Sequence, residues 1–203
     1  MITKSKLAIQ LSKLKVFSKP ELHSEQYTTD SEIAADFLWL AYMNGDIKNK
    51  KIADLGCGTG ILGIGCLLLD AKKIYFVDND EEALATAAVN IGDLNIKSDS
   101  YEIINNDVNE IKLKADVVIQ NPPFGTKQKH ADKQFLLKAF ETANIIYSIH
   151  KVTSIDFIDK LSKSKNFEIT HLLRYNLPIK HTHSFHKRKI HRIEVACFRI
   201  VKS

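Results

Sequence analysis

From about residue 50 onward, short apolar runs alternate with amphipathic stretches, and that rhythm predicts alternating strand and helix. Residues 51–55 read as a strand, 61–69 as a helix, 74–77 as a strand and 81–90 as a helix. Residues 101–104 and 117–119 are short, buried strands; 131–144 is helical and 145–149 returns to strand. A helix over about 154–164 and strands near 169–174 and 193–201 complete the series. Ahead of it, residues 3–16 space Leu7, Leu11 and Leu14 at helical intervals until Lys19-Pro20. Thr29-Asp30-Ser31-Glu32 fits a capping box opening a helix that runs to about Asn44. The alternation argues for an α/β fold, a mostly parallel sheet covered on both faces by helices.

In such sheets ligands lie beyond the carboxyl ends of the strands, at a switch in strand order. Four suggestive stretches fall there: the turn Asp54-Leu55-Gly56-Cys57-Gly58-Thr59-Gly60, then Asp78, Asp107-Val108 and Asn121-Pro122-Pro123-Phe124. Glycines allow a tight turn and let a ligand approach bare backbone. Gly58, Gly60 and Gly63 also match the dinucleotide fingerprint, a weak signal by itself. Asp54, ahead of the glycines, suits a cationic amino-acid moiety and is unhelpful beside a pyrophosphate. Asp78, 24 residues later, is placed to accept both hydroxyls of a ribose. Asp107 offers an acceptor for an adenine amine and Val108 an apolar face for the ring; Thr59 and Ile61 line the turn. The combination fits S-adenosylmethionine.

In Asn121-Pro122-Pro123-Phe124 the prolines fix the backbone and remove two N–H donors. The Asn121 side-chain oxygen and the Pro122 carbonyl can then accept both hydrogens of a planar exocyclic amine. Such an amine is a poor nucleophile until its nitrogen turns tetrahedral, and holding its protons favours that change. Phe124 would stack on the base, which must be unpaired or swung out to enter.

Composition narrows the class. The chain has 203 residues, 44% hydrophobic and 26% charged, an ordinary globular balance. No apolar run reaches the length of a bilayer span, and the Lys-rich start lacks a signal peptide's apolar stretch, so a cytoplasmic protein is expected. Cys57, Cys66 and Cys197 show no paired short spacing, which leaves no recognisable zinc knuckle or disulfide framework. Net charge is +5, yet residues 1–20 carry +5 and 171–203 carry +7, leaving −7 for the stretch between. Basic ends on an acidic body fit a polyanionic partner. Lys187-Arg188-Lys189 is the best candidate for contacting RNA phosphates. His181, His183 and His186 have no interleaved acid or cysteine and read as a solvated loop, so no metal is expected.

Together these stretches resemble the class I amino methyltransferases and, over most of the chain, the methyltransferase-like five family. That family makes N6-methyladenosine in small-subunit ribosomal RNA. Further matching stretches are Glu25-Gln26-Tyr27-Thr28-Thr29, Tyr147-Ser148-Ile149-His150-Lys151, Leu173-Arg174-Tyr175-Asn176-Leu177-Pro178 and Phe185-His186-Lys187. The resemblance implies a Rossmann-like class I methyltransferase with a seven-stranded, mostly parallel sheet whose last strand is antiparallel. It implies a single domain over 1–203, with 1–46 a helical extension and 47–203 the core. Gln26, Tyr27, Thr29, Gly56, Gly58, Thr59, Gly60 and Ile61 would then join Asp54, Asp78, Asp107 and Val108 around the methyl donor. Asn121, Pro122, Pro123 and Phe124 would present the target adenine. A small zinc-containing activator, such as eukaryotic members use beside the sheet edge, is implied as a partner. Two alternatives stay open: the same chemistry on a protein glutamine or DNA adenine, and an RNA-binding assembly factor without turnover.

Overall fold

The computed structural model describes residues 2–16, 29–123, 131–179 and 191–203. Seven strands form one sheet: β1 (Lys51–Leu55), β2 (Lys73–Asp78), β3 (Tyr101–Asn105), β4 (Val117–Gln120), β5 (Ile145–Lys151), β6 (Phe167–Ile179) and β7 (His191–Lys202). Their order is β3-β2-β1-β4-β5-β7-β6, and β7 alone runs opposite to the other six. Among the described residues, six α-helices accompany them: α1 (Lys4–Leu11), α2 (Ser31–Met43), α3 (Ile61–Leu68), α4 (Glu81–Asp93), α5 (Ala131–Thr142) and α6 (Ile155–Ser164).

The period-2 geometry of strands divides the apolar positions between two layers. Ile52, Ile74, Phe76, Val117, Ile119 and Tyr147 pack with α1, α2, α3 and α4. Ala53, Val77, Val118, Ile146 and Phe198 face the opposite layer, where Leu136 and Ala139 of α5 and Ile158 of α6 cover them. The central strands are buried on both faces, as parallel strands require. α3 fits between sheet and α2 because two of its residues lack side chains. A Cβ on Gly63 would collide with Phe76 and Ile74, and one on Gly65 with Leu38.

Three expectations need amendment. The helix predicted over 3–16 stops at Leu11. Leu14 still packs on the core, but Asn90 of α4 captures the chain next to it: its Oδ1 accepts the Lys15 N–H at 2.8 Å and its Nδ2 donates to the Lys15 carbonyl at 3.0 Å. The strand expected near 169–174 is thirteen residues long, because β7 pairs with it along its whole length. The cap of α2 is Asp30, whose carboxylate accepts the N–H groups of Glu32 and Ile33. Thr29 lies one residue outside the helix, so the expected capping box is not the one formed.

A buried ion pair locks the two halves of the first layer. Asp46 just beyond α2 accepts the Tyr147 hydroxyl at 2.6 Å and Arg199 Nε at 2.8 Å. Arg199 Nε also reaches the Tyr147 oxygen at 2.9 Å. Burial, with Asp46 beside it, pushes the Tyr147 phenol above its ordinary range and keeps it a donor.

Candidate active site

Because β1, β2, β3 and β4 are parallel and in register, Leu55, Asp78, Asn105 and Gln120 end at one edge of the sheet. The residues that follow them therefore meet there. The turn after β1 uses positive φ at Gly56 (67°), Gly58 (52°) and Gly60 (87°), a region that L side chains rarely enter. Gly56 is also constrained from outside: a Cβ there would lie 2.8 Å from the Phe135 ring of α5.

Two carboxylates brace this turn. Asp54 Oδ2 accepts the Gly63 N–H at 2.8 Å from beneath, inside α3, and the residue is only 1% exposed. Burial raises its pKa to about 7; the Gly63 N–H opposes the rise and the Asp78 charge adds to it. Asp78 Oδ2 accepts the Gly58 N–H at 2.7 Å and Oδ1 the Asp80 N–H at 3.0 Å. Its pKa is also raised by partial burial, against the pull of those N–H groups. A carboxylate has about four acceptor sites, so Asp78 keeps capacity for a diol. Thr59 is buried, and its carbonyl accepts Asn90 Nδ2 at 3.1 Å. Ile61 and Val108 are buried apolar groups, and Asp107 is exposed, its Oδ1 accepting the Asn109 backbone and side-chain amides. The Cys57 thiol is buried and held well above its ordinary pKa, so it is no ready nucleophile.

At the end of β4, Asn121 is half-buried, Pro122 buried and Pro123 half-buried. Asn121 Nδ2 donates to Thr29 Oγ1 at 2.9 Å. Its Oδ1 is buried and, among the described residues, has no hydrogen-bond partner. A buried acceptor without a donor is costly, and at a strand end beside the glycine turn it leaves an oxygen able to take a ligand N–H.

The sheet edge thus gathers Asp54, Gly56, Gly58, Thr59, Gly60, Ile61, Asp78, Asp107, Val108, Asn121, Pro122 and Pro123, and Thr29 joins them through Asn121. Gln26, Tyr27, Phe124, Lys187, Arg188 and Lys189 lie outside the described residues, as do His181, His183 and His186. Among the described residues, no group of three His, Cys, Asp or Glu could hold a metal ion, and no helix is long and apolar enough to cross a membrane.

Sequence reasoning missed Asn90, which ties the donor turn to the segment after α1. The available signal was a polar residue on the buried stripe of α4, in line with Ala83, Leu84 and Ala87. It also missed Gln120, Ser148 and His150, a fully buried polar chain beside Asn121 at the end of β4. Gln120 Nε2 donates to Ser148 Oγ at 3.0 Å, and Ser148 Oγ lies 2.6 Å from His150 Nε2. Burial lowers the His150 pKa to about 3, so the ring is neutral.

Comparison with known proteins follows the same lines. The family described as methyltransferase small domain matches residues 13–146. The rRNA N6-adenosine-methyltransferase METTL5 of Danio rerio is 38% identical over 88% of this chain and 89% of its own. The crystal structure of a Pyrococcus horikoshii protein, described as a candidate RNA methyltransferase, superposes with a TM-score of 0.91. It is 44% identical and the match covers 100% of this chain and 98% of that one. The magnesium protoporphyrin IX methyltransferase of Synechocystis, solved with S-adenosylmethionine bound, shares the fold alone, at 14% identity and a TM-score of 0.67 over 96% of this chain and 90% of that one.

Proposed function

The chain belongs to the methyltransferase small-domain family and groups with the METTL5 proteins, and from that premise we propose that it methylates the N6 amine of an adenosine in small-subunit ribosomal RNA, with S-adenosylmethionine as donor. The carrying observation is the buried Oδ1 of Asn121 at the end of β4, without a partner among the described residues.

The donor's expected seat fits the residues present. The left-handed glycine turn bares its backbone, Asp78 stands beside it with acceptor capacity, and Val108 provides an apolar wall. Asp78 would hold the ribose hydroxyls, Asp107 and Val108 the adenine, and Gln26, Tyr27, Thr59 and Ile61 the remainder beside Gly56, Gly58 and Gly60. Asp54 acts from beneath, through its bond to Gly63. When bound, S-adenosylmethionine supplies a methyl group on a sulfonium, activated for attack by nitrogen.

The chain's own task is then the acceptor. Asn121 Oδ1 and the Pro122 carbonyl accept the two hydrogens of the target amine. Positive charge grows on the nitrogen as it forms its new bond, and those two oxygens stabilise that charge more than the planar ground state. Pro123 keeps the corner rigid, and Phe124 stacks on the base. No side chain has to remove a proton before attack, because the amine is neutral and the proton leaves from the charged product. Lys187, Arg188 and Lys189 supply phosphate contacts that position the strand. A small zinc-containing activator would add beside a sheet edge such as β3, which among the described residues pairs with β2 alone.

Ribosomal RNA from a strain lacking the protein, incubated with the protein and labelled donor, then digested and analysed by mass spectrometry, should yield labelled N6-methyladenosine. Label on guanosine, on protein alone, or nowhere overturns the reading.

A further inference from the structure

Thr29 stands in an unusual position for a threonine just ahead of a helix. The capping that its hydroxyl could perform is done by Asp30, whose carboxylate takes the N–H groups of Glu32 and Ile33. Thr29 is nevertheless buried, at 5% exposure. Its hydroxyl is spent elsewhere, accepting Asn121 Nδ2 at 2.9 Å across 92 positions of sequence.

We propose that Thr29 is the positioning residue of the acceptor site: its hydroxyl holds the Asn121 carboxamide by Nδ2, so that Oδ1 is kept in place for the target amine. A carboxamide has two nearly isosteric ends of opposite hydrogen-bonding sense. With Nδ2 held by Thr29, Oδ1 is left for the site; it is one of three buried side-chain polar atoms without a partner among the described residues, with Gln120 Oε1 and Ser162 Oγ. With the amide reversed, an NH2 group would confront the N–H groups of the acceptor, donor against donor, and methyl transfer would lose its charge-stabilising contact. Asp30 completes the arrangement by capping α2, which leaves the Thr29 oxygen free to serve Asn121. This role deepens the proposed reaction and rests on it. It also assigns the Thr29 side chain to the acceptor half of the site, whereas the family resemblance places the residue beside the donor.

The test compares Thr29→Val and Thr29→Ser in the full-length protein. Thr29→Val keeps the shape and removes the hydroxyl; Thr29→Ser keeps the hydroxyl. The expected result for Thr29→Val is a kcat for ribosomal RNA methylation lower by about tenfold to a hundredfold, the scale set by misplacing a positioned group. Donor Kd should stay within about threefold, a loss small against the roughly tenfold that 1.4 kcal/mol represents, and Thr29→Ser should recover most of the rate. A second readout does not depend on turnover. In 15N-labelled protein, the Asn121 side-chain amide pair (assigned by its absence from Asn121→Ala) should shift and exchange faster with solvent in Thr29→Val, and return in Thr29→Ser.

Unchanged kcat in Thr29→Val, a loss confined to donor affinity, or an unmoved Asn121 amide overturns the proposal. So does failure of Thr29→Ser to restore the rate. If instead wild-type protein methylates no ribosomal RNA adenosine while the amide responds as stated, the reaction reading fails and the positioning contact stands.

Discussion

The acid beneath the glycine turn carries a quantitative consequence. Asp54 is 1% exposed, and its pKa rises from 3.8 to about 7, chiefly because burial penalises its charged form. The folded protein therefore binds this proton more tightly than the unfolded chain. Stability from this source is fully present below about pH 4 and is lost as pH rises through 7. A gap of roughly three pK units corresponds to about 4 kcal/mol once both states are ionised. Asp54→Asn removes the titration but keeps an oxygen for the Gly63 N–H; the extra NH2 adds a cost that does not vary with pH. Urea denaturation of both proteins, without donor, from pH 5 to pH 8 at fixed ionic strength isolates the effect. The wild-type stability minus that of Asp54→Asn should fall by about 2–3 kcal/mol across that range. Titrations elsewhere largely cancel in the difference. A difference that stays level, or rises with pH, would refute the claim that Asp54 is buried against its charge.

Other consequences concern packing and the donor seat. Gly63→Ala should cost about 1–3 kcal/mol by urea denaturation, since its methyl would drive into Phe76 and Ile74, whereas Gly92→Ala, with nothing within 4 Å, should gain up to about 1 kcal/mol in helix α4. Arg199→Met leaves Asp46 buried without its cation and should destabilise by about 3–5 kcal/mol, read from the same denaturation curves. Asp78→Ala should weaken donor binding, measured by calorimetry, at least tenfold, because it removes the diol acceptor and unpins the Gly58 N–H.

Much of this architecture was legible because each layer of the sheet is written in alternating apolar positions. Glycine and proline marked the edges where strands end. The motif residues could be placed together because parallel strands put all their carboxyl ends on one side. What escaped was tertiary. Leu14 keeps helical spacing but packs as part of an irregular segment, since Asn90 seizes Lys15 from 75 positions away. Thr29 and Asp30 are equally good caps on paper, and only the presence of Asn121 decides between them. Asp46, Tyr147 and Arg199 are unremarkable separately, and nothing in their spacing says that they share one buried cluster. Gln120, Ser148 and His150 lie inside runs that read as plain strand, where a polar side chain has no visible partner until β4 and β5 are paired.

The proposed methyl transfer turns on one oxygen atom, Oδ1 of Asn121. Single-turnover methylation of ribosomal RNA by Asn121→Ala, with donor binding measured on the same preparation, tests it most directly. The expected result is donor affinity within about threefold of wild type, a margin well under 1.4 kcal/mol, and a chemical step slowed by about 10²–10³, the cost of removing one charge-stabilising hydrogen-bond partner. A chemical step within a few-fold of wild type would contradict it.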